Sequence, residues 1–157
     1  DTVLIKLRES SYPYEYADAG KKLISNSGTG SFSFSNIRPG ASYYVVVNHR
    51  STLETWSSAP LNIPSGGATV SYNFSSGLNK AFGNNMVLVN GAASFYSGDV
   101  NQDYSVDGTD LSSVDNDVTS FVSGYVTTDL NNDDIVDGTD ALYVDNNAAN
   151  FVSLARP

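Results

Sequence analysis

The chain has no cysteine. Disulfides, thiolate metal sites and a cysteine nucleophile are therefore excluded together. Histidine, methionine and tryptophan occur once each, as His49, Met86 and Trp56. An imidazole metal site or a Ser/His/Asp triad would rest on His49 alone, and a satisfied ring at a strand end is the expectation for it. No uninterrupted apolar run is long enough to span a bilayer, so no transmembrane helix is expected. The first residues show no basic leader followed by an apolar stretch, so any secretion signal would lie elsewhere or have been removed.

Basic charge is scarce, and its distribution is informative. Residues 1–98 hold seven basic residues against five acidic, for +2, whereas residues 99–157 hold twelve Asp against Arg156 alone, for −11. A surface that negative repels phosphate backbones, which argues against nucleic acid as a partner. It also resists compaction unless cations neutralise it. The contrast predicts two domains, 1–96 and 97–157.

Apolar content of 40% suffices for a core. Short or alternating apolar runs occur at Thr2–Arg8, Ser31–Ser35, Tyr43–Asn48, Thr69–Phe74 and Met86–Val89. Turn-formers separate them at Ser27-Gly28-Thr29-Gly30, Pro39-Gly40, Pro64-Ser65-Gly66-Gly67 and Gly83-Asn84-Asn85. Strands this short, rich in Val, Tyr and Phe, predict an antiparallel β-sandwich of about seven strands. Phe32, Phe34 and Ile37 are expected to point inward. Trp56, in Leu53-Glu54-Thr55-Trp56, is either a packing residue or a platform for a sugar ring. Asn73-Phe74-Ser75 matches an N-glycosylation acceptor and Asp1-Thr2-Val3 a bacterial O-glycosylation acceptor, so glycans are among the partners to consider.

Residues 99–127 and 129–157 are two copies of one unit, with 14 of 29 aligned pairs identical. The copies open on Asp-Val-Asn-Gln-Asp-Tyr-Ser-Val-Asp-Gly-Thr-Asp (99–110) and Asp-Leu-Asn-Asn-Asp-Asp-Ile-Val-Asp-Gly-Thr-Asp (129–140). A calcium loop of the EF-hand type needs hard oxygens at its positions 1, 3, 5, 7, 9 and 12, with the seventh a backbone carbonyl. In the first copy these are Asp99, Asn101, Asp103, Ser105, Asp107 and Asp110. In the second they are Asp129, Asn131, Asp133, Ile135, Asp137 and Asp140. Solvated turns with helix caps would explain Asp107 or Asp110 singly, but not the same oxygens at six positions twice. Two Ca2+ ions are the expected cofactors.

A helix is expected after each loop. Leu111, Val114, Val118, Phe121 and Val122 form one helical stripe, matched by Ala141, Val144, Ala148, Phe151 and Val152. The approaches 92–97 and 125–128 read as extended, giving loop–helix units. Loop position 6, normally glycine at positive φ, is Tyr104 in one copy and Asp134 in the other. Asp tolerates that conformation better than Tyr, so the first loop is expected to be the more strained and weaker.

The segment 30–40 followed by Tyr43-Tyr44-Val45-Val46-Val47 resembles the strand–turn–strand of Ig-like or carboxypeptidase-regulatory-like sandwiches. The duplicated loop–helix unit, with Asp at position 12, resembles a type I dockerin over about a third of the chain. That resemblance implies an extracellular module stabilised by calcium and a cohesin as partner. The positions that would face a cohesin are Gly108, Thr109, Asp115 and Asn116, with Gly138, Thr139, Asp145 and Asn146 in the second copy. They are acidic and polar where that family carries hydroxyl and basic pairs.

An Ig-like module followed by dockerin-like repeats also resembles the C-terminal regions of large secreted or surface-attached bacterial proteins, which implies a structural or assembly protein of a bacterial cell surface or its surroundings. One form is a fibre subunit in which strand Thr2–Leu7 completes a neighbour's sheet. A dockerin-type adaptor for a cohesin-like partner and a carbohydrate-binding module are the alternatives. No nucleophile–base set or phosphate loop appears, and the carboxylates are assigned to calcium, so an enzyme is not expected.

Overall fold

The computed structural model describes residues 1–66 and 69–157. Gly67, the last residue of the turn expected at 64–67, lies outside the described residues. The protein is β-rich, with antiparallel ladders and two α-helices. It divides into two compact units, one of Asp1–His49, Thr55–Ser94 and Ala155–Pro157, the other of Arg50–Glu54 and Phe95–Leu154. No helix among the described residues is long and apolar enough to cross a membrane.

The first unit is built on β1 (Thr2–Glu9), β2 (Tyr16–Leu23), β3 (Ser42–His49), the Thr55–Trp56 end of β4 (Thr52–Trp56) and the short β5 (Leu61–Asn62). Their order is β2-β1-β3-β4, with β5 also on β3. β6 (Val87–Val89) and β7 (Ala92–Ser94) form a separate antiparallel pair. Alternation along β1 and β3 sets the faces. Leu7 lies opposite Val45 and Glu9 opposite Tyr43, and Leu7, Tyr43 and Ile63 form a core that Phe34, Ile37, Val45 and Val70 pack against.

Two expected strands are not strands. Residues 31–35 keep their alternation, with Phe32 and Phe34 half-buried and the serines mostly exposed, but they have no backbone ladder. Their polar groups bond to β2 side chains instead. The Asp18 carboxylate accepts from Ser35 N (2.8 Å) and Asn36 N (2.9 Å), and Lys22 Nζ donates to Ser31 O (3.0 Å). The Asn36 amide leads the causes that hold the Asp18 carboxyl below its ordinary range. A β-carbon on Gly20 of β2 would meet the Phe32 ring at 3.4 Å, so the small residue leaves room for the aromatic. Residues 69–74 are likewise not a strand. The Tyr72 hydroxyl accepts from Ser58 N and donates to Lys80 O (2.5 Å), and Asn73 Oδ1 caps a 3-10 turn at Phe74–Ser76. Among the described residues seven strands form one main sheet and a two-stranded ribbon, and 31–35 and 69–74 are not among them.

β1 is an inner strand, paired with β2 on one side and β3 on the other. Donating Thr2–Leu7 to a neighbour would first require stripping it from both. His49 ends β3 with Nε2 2.8 Å from an Asp1 carboxylate oxygen. Trp56 is 3% exposed, its ring 5.8 Å from Tyr44 and 6.3 Å from Tyr14 between centroids. It packs, and its face is not offered to a sugar.

The second unit holds α1 (Gly108–Thr119) and α2 (Gly138–Ala149). Its core is Leu53, Val100, Val106, Val114, Leu130, Val136, Val144 and Val152. Six of these eight form three pairs related by the 30-residue offset, so the duplication packs against itself. Helix stripe residues Val114 and Val144 are fully buried. Phe121 and Phe151 are not part of that stripe. Each follows its helix in the left-handed region (φ 54 and 52), about 90% exposed. Val122 N returns to Asp117 O (3.0 Å) and Phe121 N to Val118 O (3.1 Å), the bonding of a Schellman turn. That reversal swings Phe121 outward and brings Val122 back to the core.

Candidate metal centre

Each loop enters its helix through a cap. Asp107 Oδ1 accepts from Thr109 N (2.7 Å) and Thr109 Oγ1 (2.8 Å), while Asp110 reaches back to Asp107 N (3.0 Å). This is a capping box with Asp at both ends. Asp137, Thr139 and Asp140 repeat it at 2.7, 2.7 and 3.0 Å. The Thr139 hydroxyl is the main cause holding the Asp137 carboxyl below its usual value.

Asp110 and Asp140 are fully buried, and Asp99 and Asp129 are 1% exposed. Burying a carboxylate is costly unless hydrogen bonds or a cation compensate. Asp110 Oδ1 accepts from Val100 N (2.9 Å) and Asn101 N (3.2 Å), and Asp99 accepts from Asp103 N (3.1 Å) and Tyr104 N (3.3 Å). The second loop has the same bonds. Asp140 Oδ1 takes Leu130 N (2.7 Å) and Asn131 N (3.1 Å), and Asp129 takes Asp133 N (3.2 Å) and Asp134 N (3.3 Å).

Those backbone donors do not fully compensate. Burial, and next the charge of Asp110, raise the Asp99 carboxyl from 3.8 to about 6 against the pull of its two amide donors. Asp103 is more exposed and lies below its ordinary value, chiefly through the Ser105 hydroxyl. Asp99, Asp103 and Asp110 each present a carboxylate oxygen within 4.8 Å of the others. Three converging carboxylates, two of them buried, are a donor set that fits a hard divalent cation.

The remaining expected donors surround this group differently. Asn101 Oδ1 accepts from Asp103 N (2.9 Å), while its Nδ2 donates to Asp103 Oδ2 (2.9 Å) and Thr109 Oγ1 (3.0 Å). Asn131 does the same toward Asp133 and Thr139. Asp133 Oδ1 accepts from Ile135 N (2.9 Å). Asp107 and Asp137 act as helix caps, so a role toward a cation would run through water, as loop position 9 often does.

Ser105 and Ile135 bridge to the chain beyond the other repeat's helix, at Ser153 and Ser123. The bonds of those bridges run from Val106 N to Val152 O, Leu154 N to Tyr104 O, Val136 N to Val122 O and Gly124 N to Asp134 O. The Ser105 and Ile135 carbonyls lie outside them. The two loops are thereby tied crosswise, each braced by the tail of the other repeat.

Left-handed residues come in matched pairs. Tyr104 (φ 77) and Asp134 (φ 68) occupy position 6, as the loop pattern requires. Gln102 (φ 60) and Asn132 (φ 62) do the same at position 4, which the sequence reading missed. Consecutive amides turned inward are what let the loop backbone point its N–H groups at Asp99 and Asp129. Gly98, just before the first loop, has φ 111, and a β-carbon there would sit 3.0 Å from Val106 Cγ1. Tyr104 is half-exposed, so only partial burial offsets its strained conformation. Tyr104→Gly is therefore expected to stabilise the second unit by about 1 kcal/mol, and Asp134→Gly by less. Denaturant melts of the two variants check this, and a destabilised Tyr104→Gly would show that the ring contributes more than the backbone costs.

No protein-family model, curated protein or solved structure matches the chain.

Proposed function

We propose that loops 99–110 and 129–140 each bind one Ca2+, and that the chain is a non-catalytic, calcium-stabilised structural or assembly protein of a bacterial surface or extracellular setting. The observation that carries this reading is the same bonding scheme built twice around buried carboxylate pairs, Asp99 with Asp110 and Asp129 with Asp140. Flexible loops rich in carboxylates suit calcium better than the rigid octahedron of magnesium. Ligand sets of this kind in extracellular modules work at about 10⁻⁴–10⁻³ M calcium, which places them outside the cytosol.

When bound, calcium would neutralise the carboxylates and tie each loop to its helix. The chain's own part is already visible. Asp107 and Asp137 cap the helices, Val106 and Val136 anchor the loops in the core, and backbone amides hold the carboxylates inward. The first unit, an Ig-like module on this reading, would then act as a spacer. Assembly by donation of β1 is not part of the proposal, since that strand is paired on both edges.

A second reading, a dockerin-type adaptor, is favoured by one observation. Gly108, Thr109, Asp115, Asn116, Gly138, Thr139, Asp145 and Asn146 are all exposed. Electron microscopy of the purified chain with calcium separates the readings: ordered fibres indicate a self-assembling subunit. Discrete particles that capture a cohesin-like domain, and release it on chelation, indicate the adaptor. Discrete particles that capture nothing would remove both forms of assembly.

A further inference from the structure

The two loops differ at the peptide of the first ligand, and the difference involves a residue far away in sequence. In the first loop, Gln102 turns its side-chain amide back on the loop. Its Nε2 donates to Asp99 O (2.5 Å) and to Thr52 O (3.2 Å). The equivalent residue in the second loop is Asn132, one methylene shorter. There the Asp129 carbonyl accepts instead from Arg50 Nη1 (3.2 Å). The same nitrogen donates to Val126 O, and Nη2 donates to Asn132 Oδ1. The guanidinium lies 4.3 Å from the centroid of the Tyr125 ring, which fixes its plane.

Arg50 is the only Lys or Arg in residues 50–54 and 95–154, which carry thirteen acidic residues. Its short segment is built into the unit. Leu53 lies in the core, Leu53 N donates to Tyr96 O (2.9 Å) and Gly98 N to Ser51 O (2.8 Å). The segment therefore serves both loops at the same place, the peptide of the first ligand. It meets the first loop through Gln102 and the second through Arg50.

We infer that Arg50 is the positioning residue of the second cation loop, supplying to the Asp129 carbonyl the hydrogen bond that Gln102 supplies to Asp99 in the first. The inference rests on the calcium reading for its consequence in affinity, but not for the geometry. Its guanidinium bonds Asp129 O, Val126 O and Asn132 Oδ1. It fixes the peptide from which the Asp129 carboxylate enters the loop, as groups just outside a metal's ligands commonly do. A charge effect alone would act in the opposite sense, because a neighbouring positive charge weakens binding of a cation. The duplicated region is thus incomplete without residues 50–54.

The test uses the full chain and follows two readouts. The first is calcium affinity at each loop, read separately from the Val106 and Val136 amide resonances. The second is hydrogen exchange of the Asp103, Tyr104, Asp133 and Asp134 amides in chelator. Arg50→Ala should weaken the second loop by about tenfold, the low end of the effect of losing such a partner, and leave the first within about twofold. Exchange at Asp133 and Asp134 should accelerate selectively. Arg50→Lys, which keeps the charge without the planar fork, should remain weakened. Adding Asn132→Gln to Arg50→Ala should restore most of the affinity and slow the exchange, because the longer amide can reach Asp129 O. Equal weakening of both loops, or no gain from Asn132→Gln, would overturn the inference. If the native chain binds calcium at neither loop, the calcium reading fails, while selective exchange at Asp133 and Asp134 would still uphold the positioning role.

Discussion

Asp110→Ala is expected to destabilise the second unit by about 3 kcal/mol even in chelator, although it removes a negative charge from an acidic region. The side chain is fully buried and accepts from Val100 N, Asn101 N and Asp107 N. Removing it takes the acceptor of the Asn101 amide and leaves the buried Val100 amide only the Gly98 carbonyl (3.0 Å), at about 1–3 kcal/mol. It also breaks the capping box of α1, at about 1 kcal/mol. Relief of repulsion with Asp99 offsets only part of that. Asp110→Asn keeps one accepting oxygen and should cost about 1 kcal/mol. Asp115→Ala, on the exposed side of the same helix, should stay within about 0.5 kcal/mol. Both α-helices belong to this unit, so helical circular dichroism during denaturant unfolding reports it selectively. An Asp110→Ala chain as stable as the native one would mean that these amides find other partners.

In chelator, the second unit should be more stable near pH 5 than near pH 7, and saturating calcium should abolish the difference. The Asp99 carboxyl stands at about 6 in the folded chain against 3.8 as the ordinary value, from burial first and the Asp110 charge second. A carboxyl raised on folding favours the native state when protonated. Its contribution is fully present below the unfolded value and is lost as pH rises through about 6. A bound cation requires the carboxylate, so protonation competes with it. Between pH 7 and pH 5 the affinity of the first loop should fall by about tenfold, the effect of one competing proton with a pKa near 6. Asp103 and Asp137 lie below their ordinary values, so their contributions are lost only at lower pH, outside this window. Thermal melts at both pH values, with chelator and with saturating calcium, read the difference and its loss. Identical chelator melts at the two pH values would contradict it.

The candidate metal loops were legible as a repeated pattern because the demands of such a loop are local and written twice. Twelve consecutive residues must place oxygens at set positions, and a copy 30 residues on repeats them. The expected left-handed residues Tyr104 and Asp134 were legible for the same reason. β1 and β3 were legible from their short apolar runs, Val3-Leu4-Ile5 and Tyr43-Tyr44-Val45-Val46-Val47. β2 was not, because Tyr16-Ala17-Asp18-Ala19-Gly20-Lys21-Lys22-Leu23 carries little apolar pattern and is ordered by its register on β1. β4 also gave no alternation, since Leu53, Glu54, Thr55 and Trp56 are all buried. The reverse failure occurred at 31–35, where Asp18 and Lys22 replace a strand partner.

The tails of the helices mark another limit. A periodic stripe extends naturally to Phe121 and Phe151, but a single left-handed residue at each helix end reverses the face that follows. Residues 50–54 are the least legible part of the unit. Nothing in the segment Arg50-Ser51-Thr52-Leu53-Glu54 announces that its first residue bonds Asp129 O and that Thr52 O receives Gln102. That pairing depends on Asn132 being one methylene shorter than Gln102, and it emerges only once the two loops are compared bond by bond.

Calorimetric titration of the decalcified chain, read together with its helical melt, is the decisive experiment. Two calcium ions should bind per chain, and at tenfold excess over the dissociation constant each should add about 1.4 kcal/mol to the second unit. Absence of binding heat, with a helical melt indifferent to saturating chelator, would mean that the buried carboxylates are a structural network in their own right and not a calcium site.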